Sequence, residues 1–319
     1  MVAVGWGAMR VLISGSTGLV GTAVLGALER EGHAVSRLLR PESDRRTPPL
    51  PHARPAAANV RWNPVAGEFD AAAAEGADAV VHLAGASIAG ARWNDARKRI
   101  LRSSRVEATR HLVGALGKLA RPPRVFVSAS AIGYYGDRGD EELTEQSAPG
   151  DDFIAMLARD WEAEAARAEQ FAARTAMLRW GLILSSRGGA LQRMLMPFRL
   201  GMGGRLGSGK QWMSWLTLAE AVGLIRYALE NAQVRGPVNG VAPNPVRNAE
   251  FTATLGRALH RPTIFPVPGV ALRLALCEMA QVLLLSSQRV VPKKLQTLGY
   301  RFLHAELGPA FSAVLGRSA

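Results

Sequence analysis

The chain has 319 residues, 48% of them hydrophobic, enough for one large domain or two joined ones whose core needs no disulfide staple. A single cysteine, Cys277, excludes an intramolecular disulfide, and no run of about 18 apolar residues is present to span a membrane. The net charge is +13, but only five of the 39 basic residues are lysines, the arginines are scattered, and no basic run is interleaved with aromatics; this argues against a nucleic-acid face and leaves a positive field that favours small anionic ligands.

The first eight residues carry no charged lead and no long apolar stretch, so no signal peptide is expected, and Met9 is a candidate start. RVLIS (10–14) reads as a strand, and the segment from the following glycine-rich turn to Gly32 as an amphipathic helix. HAVSRLLR (33–40) is a second strand. Residues 41–59 hold five prolines and no periodicity and read as a flexible loop. The near-continuous apolar run ADAVVHLAG (77–85) suits a strand covered on both faces. A long helical segment (92–119), a strand (124–130), a helix (151–172) and a strand (175–184) follow. Strands separated by helices predict an α/β fold, a Rossmann-like doubly wound parallel sheet with right-handed crossovers.

Beyond residue 186 the alternation loosens. Glycines cluster over 201–212, helices are expected over 217–231 and 248–259 with a short strand and turn between them, and a largely apolar helix over 269–285 should pack against the sheet domain. The expected division is a dinucleotide-binding domain over 9–185 and a smaller, mostly helical C-terminal α/β substrate region over 186–319. Cys277, near Leu272, Leu274, Leu276 and Met279, is expected as a small buried hydrophobe in a reducing compartment.

Gly15, Ser16, Thr17, Gly18, Leu19, Val20 and Gly21 join the first strand to the first helix with the spacing G-x-x-G-x-x-G. Glycine permits the tight turn and lets main-chain N–H groups approach a pyrophosphate, while the helix N-terminus adds positive partial charge. The strand-turn-helix setting favours a dinucleotide site over a merely structural turn. The second strand ends at Leu39 and Arg40, about 20 residues on, where an acidic residue would take the ribose 2′-OH of NAD. Arginine suits a 2′-phosphate instead, so NADP(H) is favoured over NAD(H). Leu83, Ala84 and Gly85 end the third strand, and the small Ala84 and Gly85 leave a backbone surface for the dinucleotide. His82, inside that apolar strand, reads as a core histidine with satisfied nitrogens. Ser128, Ser130, Tyr134 and Tyr135 in SASAIGYYG (128–136) fall at the carboxyl edge, where open α/β sheets bind ligands; a turn with aromatic packing is the plainer alternative. No metal site is expected.

Together the glycine turn, HLAG (82–85), the S-x-S…YYG segment and RWGLIL (179–184) resemble an extended short-chain dehydrogenase/reductase, the group that includes sugar-nucleotide epimerases. Five further segments are similar to an atypical branch, epimerase-family proteins of the family 39U member 1 type. They are RWN…SR (Arg92, Trp93, Asn94, Ser104, Arg105), MLMPFRLGMGG (194–204), GSGKQWMSW (207–215), NGVAPNPVRNAEF (239–251) and QRVVPKKLQTLGYRF (288–302). The resemblance spans nearly all of residues 9 to 315. It implies NADP(H) on Gly15 to Val20, Arg40 and Leu83 to Gly85, with Arg105 as a further cofactor contact. It also implies Ser130 polarising the substrate oxygen, and Trp180, Gly181 and Leu182 flanking the nicotinamide. Relatives often pair through a four-helix interface, which raises a homodimer.

One departure stands out. Standard members carry a Tyr-x-x-x-Lys pair whose lysine lowers the tyrosine pKa. Counting back from Trp161 and Glu162, those places fall near Phe153 or Ile154 and near Leu157 or Ala158, none of which ionises. The atypical branch lacks the pair too. WLTLAE (215–220) has Thr217 and Ala219 where that branch has histidine and aspartate.

The leading expectation is an NADP(H)-dependent oxidoreductase or nucleotide-sugar epimerase-like enzyme of unknown substrate. Ser130 would polarise a carbonyl and Tyr134 or Tyr135 would donate the proton, its pKa of about 10 lowered by a neighbouring Arg105. The alternative is a non-catalytic NADP(H) sensor or scaffold, which an apolar plug beside the nicotinamide would favour. A small-molecule substrate is the expected partner, with no nucleic acid and no membrane, in a cytoplasmic location.

Overall fold

The computed structural model describes residues 7–40, 59–171 and 174–316; residues 1–6 and all but the last position of the expected proline-rich loop lie outside them. The strands are β1 (Arg10–Ser14), β2 (Ala34–Leu39), β3 (Asn59–Asn63), β4 (Glu68–Phe69), β5 (Ala79–His82), β6 (Val125–Ala131), β7 (Glu142–Leu143), β8 (Arg174–Trp180), β9 (Leu182–Leu184), β10 (Trp212–Met213), β11 (Trp215–Thr217), β12 (Gly236–Gly240), β13 (Val246–Arg247) and β14 (Arg289–Val290). Eight of them form one sheet in the order β12-β8-β6-β5-β1-β2-β3-β4, parallel throughout except for the β3–β4 edge. β1 lies between β2 and β5, so the chain order reverses there, the switch point at which doubly wound sheets open a crevice. The sheet confirms the expected α/β fold.

Strand periodicity divides the core. In β1, Val11 and Ile13 face one layer with Val24, Leu28, Leu224 and Ile225, while Leu12 faces the other with Leu112, Leu116 and Phe126. The helices are α1 (Leu19–Arg30), α2 (Ala71–Ala74), α3 (Asp95–Arg102), α4 (Ala108–Leu116), α5 (Phe153–Ala166), α6 (Gly189–Arg199), α7 (Leu218–Glu230), α8 (Asn248–Leu259) and α9 (Gly269–Leu276), with short turns at Glu278–Ala280 and Lys293–Thr297 and a last helix at Leu307–Leu315. Helices α1 and α7 cover the first face, α4 and part of α5 the second. A third cluster, around Trp215, Phe251 and Phe311, holds α6 and α8 to the last helix.

Two expectations need correction. The single helix read over 92–119 is α3 and α4 joined by a π turn, Ser103–Glu107. The apolar helix read over 269–285 is broken: α9 buries no residue and ends at Cys277, whose φ is +52°, and the packing against the sheet domain comes at its end and beyond, where Leu276, Met279, Val282 and Leu283 meet Trp93, Leu101 and Ile154. Cys277 is exposed, not the buried hydrophobe expected. The sequence reading also missed β3, although NVRWN alternates with strand period.

Candidate functional site

The turn between β1 and α1 owes its path to three glycines. Gly15 has φ +70°, and a Cβ there would stand 2.7 Å from the Leu83 carbonyl. A Cβ on Gly21 would strike the Gly15 carbonyl oxygen, so this glycine lets α1 lie against the turn. Gly18 donates its N–H to Gly15 O at 3.0 Å and begins α1 with no side chain capping it. The first helical amides are thereby left as donors facing outward from the helix end.

Beside this turn lies a cavity of about 470 Å³. Nine of the expected cofactor residues line it: Gly15, Ser16, Thr17, Gly18, Leu39, Arg40, Leu83, Ala84 and Gly85. Its other walls, which sequence reasoning missed, include Trp62, Pro64 and Val65 after β3 and Ser103, Ser104 and Glu107 on the π turn. Among the described residues, the buried Ser16 hydroxyl and the buried Trp62 indole N–H have no hydrogen-bond partner. Both residues line the cavity, and such unpaired groups there fit a polar ligand. The alternation of Trp62 with Val60 on β3 was the available signal for that wall.

The π turn shapes the opposite rim. Ser104 Oγ accepts the Ala86 N–H at 3.1 Å, and Arg105 Nη2 donates to Ala86 O at 3.0 Å. Burial, and next the charge of Arg97, lower the Arg105 pKa to about 10. A Cβ on Gly85 would stand 3.2 Å from the Arg105 guanidinium carbon. His82 is fully buried behind this wall, with Nδ1 2.6 Å from Ser14 Oγ and Nε2 2.9 Å from Thr109 Oγ1. Ser14 Oγ in turn accepts the amides of Leu83 and Ala84, at 3.2 and 3.3 Å, so the histidine braces the cavity floor. Burial holds its pKa down, at about 4.

The remaining expected residues lie elsewhere. Leu19 lines a neighbouring groove with Arg187 and Gly188, and Val20 packs on the sheet core. Ser128 is buried in β6, its hydroxyl donating to Ala129 O. Gly181 sits where a Cβ would meet Ser214 O at 2.5 Å, and this close approach separates β8 from β9. Leu182 N–H donates to Ser214 O, while the Trp180 ring packs over Gly240.

Ser130 and Tyr135 are tied into one buried network. Ser130 Oγ donates to Glu162 Oε1 at 2.6 Å, and Arg179 clamps both oxygens of that carboxylate at 2.7 Å. Arg179 Nη1 also donates to the Tyr135 hydroxyl at 2.9 Å, which donates to Asn239 Oδ1 at 2.6 Å. Burial is the main reason the Tyr135 pKa is pushed up to about 12. Burial alone would lower the Arg179 pKa, but the Glu162 hydrogen bonds and charge raise it above its ordinary value. The cation beside the tyrosines is therefore Arg179, 3.5 Å from the Tyr134 ring, and not Arg105, which stacks 5.3 Å from Trp161. Tyr134 is half-buried, and no hydrogen bond reaches its hydroxyl among the described residues.

Where a Tyr-x-x-x-Lys pair would stand, Ile154, Leu157 and Trp161 join Trp93, Leu101 and Met279 in a buried apolar cluster, with Phe153 and Trp180 packed against it. Among the described residues, Glu31, His33 and Glu230 alone bring three ligand-type atoms within 4.8 Å. His33 Nδ1 already accepts the Met9 N–H and Glu31 pairs with Arg226, so those groups are committed within the protein.

Residues 11–239 match the NAD dependent epimerase/dehydratase family. The chain belongs to that family. Residues 267–314 match a domain of unknown function, DUF1731. The epimerase family protein Mb2239 of Mycobacterium bovis is 41% identical over 300 residues, 94% of this chain and 95% of that protein. The crystal structure of human epimerase family protein SDR39U1 (isoform 2) with NADPH superposes with a TM-score of 0.85 at 35% identity, covering 97% of this chain and all of that one. A nucleoside-diphosphate sugar epimerase from Corynebacterium glutamicum has a TM-score of 0.77 at 36% identity, covering 97% of this chain and 59% of that one. The family resemblance seen in the motifs is thus shown over the full fold, including the branch that SDR39U1 represents.

Proposed function

We propose that the chain binds NADP(H) in the cavity beside the glycine turn and acts as a short-chain dehydrogenase/reductase-type oxidoreductase on a small molecule. The observation that carries this is that Ser16 and Trp62, whose Oγ and Nε1 have no partner among the described residues, line a cavity floored by a left-handed glycine. The NADPH held by the human relative supports it. The α1 amides would hold the pyrophosphate, Trp62, Pro64 and Leu39 would enclose the adenine, and Arg40 would take the 2′-phosphate. When bound, the cofactor supplies hydride exchange at its nicotinamide ring. The protein must orient that ring and manage one proton. Trp180, Gly181 and Leu182 would flank the ring, residues 186–319 would form the substrate side, and Tyr134 is the phenol with an uncommitted hydroxyl. Part of the same proposal is a cytoplasmic location, argued from the lone cysteine, and a homodimer through α3 and α5, which expose Ile100 and Met156.

A thermal-shift comparison of NADPH, NADP, NADH and NAD tests the binding. A specific ligand at 100 times its Kd stabilises by about 2.7 kcal/mol. NADPH should give the largest shift; a larger NADH shift overturns the role given to Arg40, and no shift at all removes the cofactor.

A second reading, a sensor without turnover, is favoured by one arrangement. The Ser130 hydroxyl is spent on Glu162, the Tyr135 hydroxyl on Asn239, and the site of the missing pair is apolar. With any substrate the protein turns over, Tyr134→Phe should lower kcat and leave the NADPH shift intact. Unchanged turnover when Tyr134 and Tyr135 are both replaced by Phe removes the phenols from the mechanism.

A further inference from the structure

We propose that the face formed by the end of α6 and by the 262–276 segment docks on the surface of an anionic lipid bilayer. Seven large apolar side chains protrude there, 57–77% exposed: Met196, Leu200 and Met202 from one segment, Ile264, Phe265, Val270 and Leu274 from the other. The two segments are one surface. Gly204 packs against the Phe265 carbonyl, Arg261 Nε donates to Arg199 O at 2.8 Å, and main-chain bonds of 2.9 Å run from Gly207 N–H to Val267 O and from Val267 N–H to Arg205 O. Met196 on α6 stands four residues before Leu200, the residue that ends the helix, and Val270 and Leu274 are four residues apart on α9, so each segment turns an apolar stripe outward.

Charge selects the occupant. The sequence has no Asp or Glu between Glu169 and Glu220, nor between Glu250 and Glu278. Arg199, Arg205, Arg257, Arg261 and Arg273 are all exposed within these segments. Protruding apolar groups in a basic surround are the pattern of a protein lying at an anionic interface, with side chains reaching the acyl boundary and arginines at the phosphates. Beside Thr263, a hollow of about 290 Å³ lined by Arg205, Thr252 and Ile264 sets polar and apolar groups together, as a headgroup requires. A second copy of the chain is disfavoured, because a two-fold contact would press like charges together. Docking of this kind does not need a spanning segment, and no helix among the described residues is long and apolar enough to cross a membrane. It departs from the sequence expectation of no membrane partner.

The test is co-sedimentation of the full chain with vesicles of phosphatidylcholine alone or mixed with phosphatidylglycerol, at low and high salt. Binding should need phosphatidylglycerol and weaken with salt, and each arginine lost, as in Arg205→Gln or Arg273→Gln, should cost about fivefold in vesicle affinity. The double variant Phe265→Ser/Leu274→Ser should lower affinity about tenfold or more while its NADPH thermal shift and melting cooperativity match the parent. Absence of binding to phosphatidylglycerol vesicles at low salt overturns the proposal. So does unchanged binding by the apolar variant, since charge alone then accounts for it. Self-association that the apolar variant abolishes would give the face to a second copy, and competition by soluble polyglutamate without loss in the variant would give it to an acidic protein.

Discussion

A methyl group at position 15 would press on the Leu83 carbonyl from a backbone with positive φ, so Gly15→Ala combines strain with a blocked cofactor floor. Strain of this kind is worth roughly 1–3 kcal/mol, and urea unfolding should show a loss of that order together with loss of the NADPH shift. Ser16→Ala should separate the two effects. Its hydroxyl is buried and unpartnered without ligand, so the alanine should leave the free protein as stable or more stable, while titration of NADPH should show weaker binding. A Kd that does not change would mean the hydroxyl serves nothing in the cavity. These residues were legible in the sequence because the glycine turn is local: seven consecutive residues carry both its geometry and its chemistry. The Ser130–Glu162–Arg179–Tyr135–Asn239 network was not. Its members are strewn over more than a hundred positions, and Glu162 in isolation looks like any helix-surface glutamate. The mistaken pairing of Arg105 with the tyrosines has the same origin, since nothing in the order of residues says which of two arginines a fold brings near.

At the scale of elements, β5 carries a titration that should be visible from outside. His82 is held neutral by burial, with a folded pKa of about 4 against 6.5 in the unfolded chain. Between those values the unfolded chain binds the extra proton, so stability falls as pH drops from about 6.5 towards 4 and the loss levels off below that. The span corresponds to roughly 3 kcal/mol at most. Denaturant midpoints measured across this range should show the slope, and His82→Asn should flatten it even if it lowers the plateau. A slope that survives the substitution would assign it to carboxylates instead. Strands and helices of the sheet were readable because each keeps one periodicity along its length. The π turn at Ser103–Glu107 was not, since one extra residue per turn leaves no mark in an apolar pattern already broken by polar positions. Segment 269–285 misled for a different reason: its hydrophobicity suggested one covered helix, and hydrophobicity marks neither the break at Cys277 nor which half is covered.

For the whole molecule, the reversal of strand order at β1 puts the glycine turn, the end of β2 and the end of β5 around one opening, and the chain as a whole carries a net charge of +13. A field of that sign should speed the arrival of an anionic dinucleotide. Stopped-flow association of NADPH should therefore slow as ionic strength rises, most steeply until the Debye length falls to about 10 Å at 0.1 M. An association rate indifferent to salt would show that the arginines are too dispersed to steer. The net charge was plain from composition; the basic character of the α6 and α9 face emerged only when two acid-free stretches, separated by residues 220–250, were seen to adjoin.

The chain's one sulfhydryl stands in the open at the bend that follows α9, a few residues from Leu274. With no competing thiol anywhere in the sequence, a maleimide dye would attach at that spot and nowhere else. The unaltered protein thus carries its own optical probe at the rim of the outward-turned helix, and a change in emission there would register whatever comes to rest against it.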